Sequence, residues 1–166
     1  MKLKLMTTCA ITFLCLLQVA PAVVKPDFSG SWVMDKTRSF SNPAGLEQTL
    51  IVVHTGDQIK LESKLVTTRG GEQTVNESYT LDGKETEFAP PGAQPGAKGK
   101  RKASWLPEGR GVVIEDNVTS DSPKGPVTSQ VMRKWTLSAD GSTLTVDYYF
   151  DDQRGSFEAK RVFVRK

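Results

Sequence analysis

The sequence predicts an all-β chain, a single up-and-down antiparallel β-barrel of eight to ten strands. Three observations lead there. Period-two alternation of apolar and polar residues recurs from about Thr49 to the C-terminus, the signature of half-buried strands. Glycine-bearing turns punctuate those runs at short intervals, and no helical periodicity lasting a dozen residues follows the N-terminal segment.

Taken in order, strands are expected near 29–33, 49–54, 58–67, 73–81, 101–106, 112–118, 128–137, 143–150 and 156–164, with a possible tenth at 85–88. Thr55-Gly56-Asp57, Arg69-Gly70-Gly71, Asp82-Gly83, Asp140-Gly141 and Arg154-Gly155 supply the turns between them, since glycine accepts positive φ without steric cost. Such tight connections give a meander, because parallel pairing needs crossovers of a dozen or more residues. A single open layer of that many strands leaves two bare edges, and closing it into a barrel removes them.

Residues 1–22 read as a secretory leader. Lys2 and Lys4 precede an apolar stretch from Leu5 to about Val19, and Ala20-Pro21-Ala22 fits the small-x-small rule for cleavage. The stretch is shorter than the ~20 residues of a membrane span. Cleavage after Ala22 leaves one domain, residues 23–166, destined for the periplasm or the exterior. Both cysteines, Cys9 and Cys15, leave with the leader, so packing alone must hold the mature chain. Neither sits in a lipid-attachment context. Losing Lys2 and Lys4 leaves 20 basic and 19 acidic residues, so net charge falls from +3 to +1. That balance is poor evidence for an anionic partner.

Alternation sorts each strand into faces. The expected inner sets include Ile59, Leu61, Ser63 and Leu65; Val75, Glu77, Tyr79 and Leu81; Val112, Ile114, Asp116 and Val118; Val131, Arg133, Trp135 and Leu137; and Leu144, Val146, Tyr148 and Phe150. Glu77, Asp116 and Arg133 ride on these faces. A buried unpaired charge costs several kcal/mol, on the order of 3 or more. Each must therefore find a counter-charge, water or a ligand, unless one-residue bulges turn it outward. The last strand is ambiguous: Phe157, Ala159, Arg161 and Phe163 share one face, Val162 and Val164 the other.

Phe28-Ser29-Gly30-Ser31-Trp32 resembles the F-x-G-x-W opening of the calycins, the superfamily of lipocalins and fatty-acid-binding proteins. The resemblance implies that Gly30 permits entry into the first strand and that Trp32 plugs the closed end. Lys160 to Arg165 is similar to the last strand of fatty-acid-binding proteins, where an R-x-Y pair holds a ligand carboxylate. Here Phe163 stands in place of the tyrosine. In lipocalins an Arg near the end of the barrel packs on the opening Trp, so Arg161 or Arg165 has an alternative structural role as its cover. Asp27 to Phe40, with Asp35, Arg38 and Ser39, and the hairpin from Lys134 to Val146 look like small secreted bacterial lipocalin-like proteins without established activity. Only Arg38 to Gln48, with Asn42-Pro43 and Gly45, is available where fatty-acid-binding proteins insert two helices.

Other chemistry is thinly represented. His54 is the only histidine, so no metal site and no Ser–His–Asp machinery is expected, nor any cofactor. Glu115-Asp116 and Asp151-Asp152 point to opposite faces and cannot work as neighbours. Glu77 and Asp116 could meet across strands as a hydrolase dyad, the least favoured reading. Ala89 to Lys100 is a proline- and glycine-rich loop, and Lys98, Lys100, Arg101 and Lys102 give it basic character. Weak contact with an anionic envelope surface fits that run better than nucleic acid does. Asn76 and Asn117 begin formal glycosylation sequons on expected outer faces.

The expected function is binding, as a monomer and without catalysis, of a small amphipathic or hydrophobic molecule with an acidic head. Candidate contacts are Leu61, Glu77, Tyr79, Asp116, Arg133, Trp135, Tyr148, Arg161 and Phe163, with Arg133 or Arg161 anchoring the head. The alternative is an envelope interaction module whose interior is filled by its own side chains.

Overall fold

The computed structural model describes residues 25–91, 97–122, 125–153 and 155–166. The expected leader, residues 1–22, lies outside the described residues, as do 92–96 of the proline-rich loop. Ten strands follow in chain order: β1 (Gly30–Phe40), β2 (Glu47–Thr55), β3 (Gln58–Thr67), β4 (Gly71–Thr80), β5 (Asp82–Phe88), β6 (Lys98–Trp105), β7 (Gly111–Ser120), β8 (Val127–Leu137), β9 (Thr143–Asp152) and β10 (Gly155–Arg165). All pairings are antiparallel. The sheet order is β4-β3-β2-β1-β10-β9-β8-β7-β6-β5. It is an up-and-down barrel, and the β1–β10 pairing joins the first and last of these strands.

Closure is incomplete at one seam. β4 and β5 are neighbours in sequence, yet they end the hydrogen-bonded order on either side. The cause lies in their connection. Leu81 alone separates them; its side chain is buried in the core and its N–H donates to the Asp57 carbonyl at 2.8 Å. That anchor, followed by a register shift between Asp82 and Glu85, steers β5 away from β4. Side chains bridge the seam in place of a ladder.

β1 runs seven residues beyond the expected end at Val33, reaching Phe40. Asp35 explains how it bends. Its carboxylate accepts from the Thr37 N–H and hydroxyl and from Arg38 Nε, while Ser39 Oγ donates to the Asp35 carbonyl and accepts from Val162 N–H. These bonds hold the irregularity between Asp35 and Phe40, as expected of a β-bulge that re-aims a strand. The Thr37 hydroxyl, with Arg38 behind it, brings the Asp35 carboxyl down to about 2.

The core fills one end of the barrel. Phe28, Trp32, Ile59, Val112, Ile114, Leu144 and Phe163 are fully buried there, with Val52, Leu81 and Trp135 beside them. Trp32 Nε1 donates to the Phe28 carbonyl at 3.0 Å, which satisfies its one polar atom. Arg165, not Arg161, covers Trp32, with its guanidinium 4.3 Å from the ring. Gly30 adopts φ +136°, and a Cβ there would stand 2.6 Å from Arg165 Nη1. The glycine thus serves both the backbone turn and the seat of the arginine.

Candidate functional site

Above the apolar end, the interior becomes polar. Arg101 on β6 and Asp116 on β7 are direct cross-strand partners, and Arg133 on β8 reaches the same carboxylate diagonally. Arg101 Nε and Nη2 donate to Asp116 Oδ1 and Oδ2 at 2.6 and 2.8 Å; Arg133 Nη2 donates to Oδ2 at 2.5 Å. Glu77 comes from β4 across the seam, accepting from Arg101 Nη2 at 2.7 Å and from Arg133 Nη1 at 3.1 Å. Arg133 Nη1 also donates to the Tyr79 hydroxyl at 3.1 Å. Two guanidiniums thus meet two carboxylates, a formally neutral, buried cluster.

Glu77, Tyr79, Asp116 and Arg133 all face inward, so no bulge turns them out. Arg101 requires a correction. The sequence places Lys98 and Lys100 in a loop and Arg101 and Lys102 at the start of a strand over 101–106, with the whole basic run solvated; instead all four lie in β6, where residues alternate faces. Lys98, Lys100 and Lys102 are exposed, while Arg101 is 6 % exposed and lies beneath them. Phe88 covers its guanidinium at 4.0 Å. Lys100 is itself paired with Glu85 at 2.8 Å.

A second polar group surrounds Arg161 on β10. Its Nε donates to Asn42 Oδ1 at 2.9 Å, and its Nη1 donates to Gln48 Oε1 at 2.9 Å and to the Tyr148 hydroxyl at 3.3 Å. The guanidinium also lies 4.4 Å from the Tyr148 ring. Gln48 Nε2 in turn donates to Ser63 Oγ at 2.7 Å. Among the described residues, no carboxylate lies within ion-pair reach of Arg161. It is a half-buried cation held only by neutral acceptors. Tyr148, Phe150 and Phe157 stack in sequence, at 5.7 and 4.6 Å between rings, extending from Arg161 toward the β9–β10 hairpin.

The remaining candidates divide by position. Leu61, Trp135 and Phe163 are buried in the core, with Trp135 edge-on to Tyr79 at 6.2 Å. Asn42, Gln48 and Arg101 were not anticipated as interior polar groups. Gln48 alternates with Leu50 and Val52, a signal available in the sequence but cut off by placing the strand start at Thr49. Two cavities open at the β4–β5 seam, of about 250 and 160 Å³, both lined by Arg101 and Phe88. A larger depression of about 640 Å³ lies between Glu87–Ala89, Ala97–Lys100, Asn117 and Thr119.

The cluster has an acid-range consequence. Burial acts to raise the Glu77 carboxyl, but the Arg133 and Arg101 guanidiniums outweigh it and hold it below the usual range. A folded value below the unfolded one of about 4.3 means that the contribution to stability is whole above that pH. It is lost as the pH falls through the folded value. Urea midpoints should therefore fall on acidification below about pH 4.5. Glu77→Gln should flatten that fall, and an unchanged slope would contradict the assignment.

No family model matches the chain, and no curated protein matches it in sequence. Solved structures do resemble it in fold. Zebrafish ileal bile acid-binding protein complexed with cholic acid superposes with a TM-score of 0.50 at 16 % identity, covering 84 % of this chain and 98 % of that one. The fatty-acid-binding protein isolated from Manduca sexta gives 0.43 at 16 % identity, covering 83 % and 99 %. What the chain shares with them is the fold, an up-and-down antiparallel barrel of ten strands. Between β1 and β2 lie only residues 41–46, and among the described residues the helical structure is the 3-10 turn Pro107–Gly109.

Proposed function

We propose that the protein is an exported barrel that takes up, as a monomer, a small amphipathic molecule and anchors its acidic head at Arg161. The observation that carries this reading is the half-buried Arg161 guanidinium, whose partners among the described residues are all neutral. A cation in such surroundings gains most from an arriving carboxylate, because charge-assisted hydrogen bonds are roughly twice as strong as neutral ones. Arg133 is the weaker candidate for the anchor, since Glu77 and Asp116 already neutralise it. Tyr148, Phe150 and Phe157 would contact the apolar body. The bile acid-binding neighbour, which holds cholic acid, supports the class of ligand. Lys98, Lys100 and Lys102 remain the outward cations for weak contact with an anionic surface.

The test is paired titration with oleate and oleyl alcohol. Arg161→Gln should weaken oleate by roughly tenfold or more, since a hydrogen bond to a charged group is worth about 1.5–3 kcal/mol, and leave the alcohol nearly unchanged. Absence of uptake of either molecule, with native mass spectra empty, would overturn the proposal.

A second reading is favoured by the closed ion-pair cluster, which fills part of the interior with the protein's own side chains. The protein would then be an envelope interaction module acting through its loops. Deleting residues 90–97 should abolish partner capture under this reading. The deletion must stop before Lys98, because β6 supplies the buried Arg101.

A further inference from the structure

We propose that Glu77 occupies a second carboxylate site, which the carboxyl group of an incoming small organic acid takes over. This site is distinct from Arg161. The two acidic members of the cluster are held very differently. Asp116 sits on β7 between its hydrogen-bonded neighbours β6 and β8, in direct register with Arg101. Its bonds from the two guanidiniums, at 2.5 to 2.8 Å, come from the two strands hydrogen-bonded to its own, whereas Arg133 reaches Glu77 only at 3.1 and 3.3 Å. Glu77 reaches in from β4, the strand at the end of the hydrogen-bonded order, across a seam with no ladder. Most of β4 is exposed; only Tyr79 is buried, with Val75 and Glu77 partly so.

Charge balance makes the place attractive to an anion once Glu77 withdraws. Arg101 and Arg133 would then share the single carboxylate of Asp116, leaving one net positive charge where little water reaches. Donor capacity is also left over: Arg133 is 8 % exposed, and its Nε finds no acceptor among the described residues. Space lies alongside. The cavity of about 160 Å³ at the seam is lined by Glu77 itself together with Phe88 and Arg101, so a rotation of the Glu77 side chain gives it somewhere to go. Tethered to β4, Glu77 excludes weak free acids. An acid presented on an apolar body gains burial as well as the two guanidiniums, and can displace it.

The experiment is chemical rescue. Glu77→Ala removes the atoms of one acetate, so acetate is the probe. Thermal unfolding is followed at 100 mM sodium acetate against 100 mM sodium chloride, in wild type and variant. The variant should melt lower than wild type in chloride and gain about 2–5 °C in acetate, while the wild type, whose Arg161 is unchanged, shows no matching gain. An equal response of the two proteins, or no gain in the variant, would overturn the proposal. If Glu77→Ala does not fold in chloride, refolding from urea replaces melting as the readout. Recovery in acetate alone supports the site, and failure in both salts overturns it. Because acetate lacks an apolar body, this result is separable from the oleate titration at Arg161.

Discussion

Replacing Arg133 with Met should lower the free energy of unfolding by about 3–5 kcal/mol, the cost of removing one partner from a buried ion-pair group. Met retains most of the aliphatic stem, so the loss is chiefly electrostatic. Glu77 and Asp116 would be left sharing Arg101, and the buried Tyr79 hydroxyl would lose the donor that now reaches it at 3.1 Å. The compensated double change is the sharper measurement. Arg133→Met with Glu77→Met leaves Arg101 and Asp116 as a one-to-one, cross-strand pair. It should regain much of the lost stability, because a buried charge group is costly to break but cheap to replace with apolar bulk. Urea unfolding of the two single variants and the double gives the coupling directly. Additive losses would contradict a shared network.

Trp32→Ala should cost about as much, roughly 3–5 kcal/mol, for a different reason. The side chain is fully buried at the closed end, and its removal leaves a void that rigid strands on every side cannot collapse into. Two further contacts go with it, the Nε1 hydrogen bond to Phe28 and the seat of the Arg165 guanidinium. Trp32→Phe, which keeps a smaller aromatic ring but loses the indole N–H, should recover a large part of the loss. Thermal melts of the two variants check the order; equal destabilisation would mean that ring volume is not what holds the end shut.

The strands and their faces were legible because a half-buried sheet must alternate, and most of this barrel does. The inward charges on β4, β7 and β8 could be named from that alone. The inward face of Arg101 was missed for a local reason: a basic run after a proline- and glycine-rich stretch reads as solvated, and starting the strand at Arg101 cut off Gly99 from the period-two pattern that Gly99, Arg101 and Ala103 share. Asn42 was out of reach. It is a loop residue whose partner, Arg161, lies 119 positions away, and only the extra length of β1 beyond Asp35 carries the chain there. The seam between β4 and β5 was hidden too, since Asp82-Gly83 reads as an ordinary hairpin turn, whereas β5 starts at Asp82 and its register shifts between Asp82 and Glu85. What looked from the sequence like three inward charges is a balanced set of four, and Arg161 is a further inward cation with no carboxylate partner among the described residues.

That further cation can be observed at the ligand itself. Oleate labelled with ¹³C at the carboxyl carbon, bound to the wild type and followed by NMR from pH 7.5 to 5, should give a bound resonance that keeps the ionised shift throughout and moves in Arg161→Gln. A bound resonance that is the same in both proteins, or no bound resonance at all, would contradict an anionic head group held at Arg161.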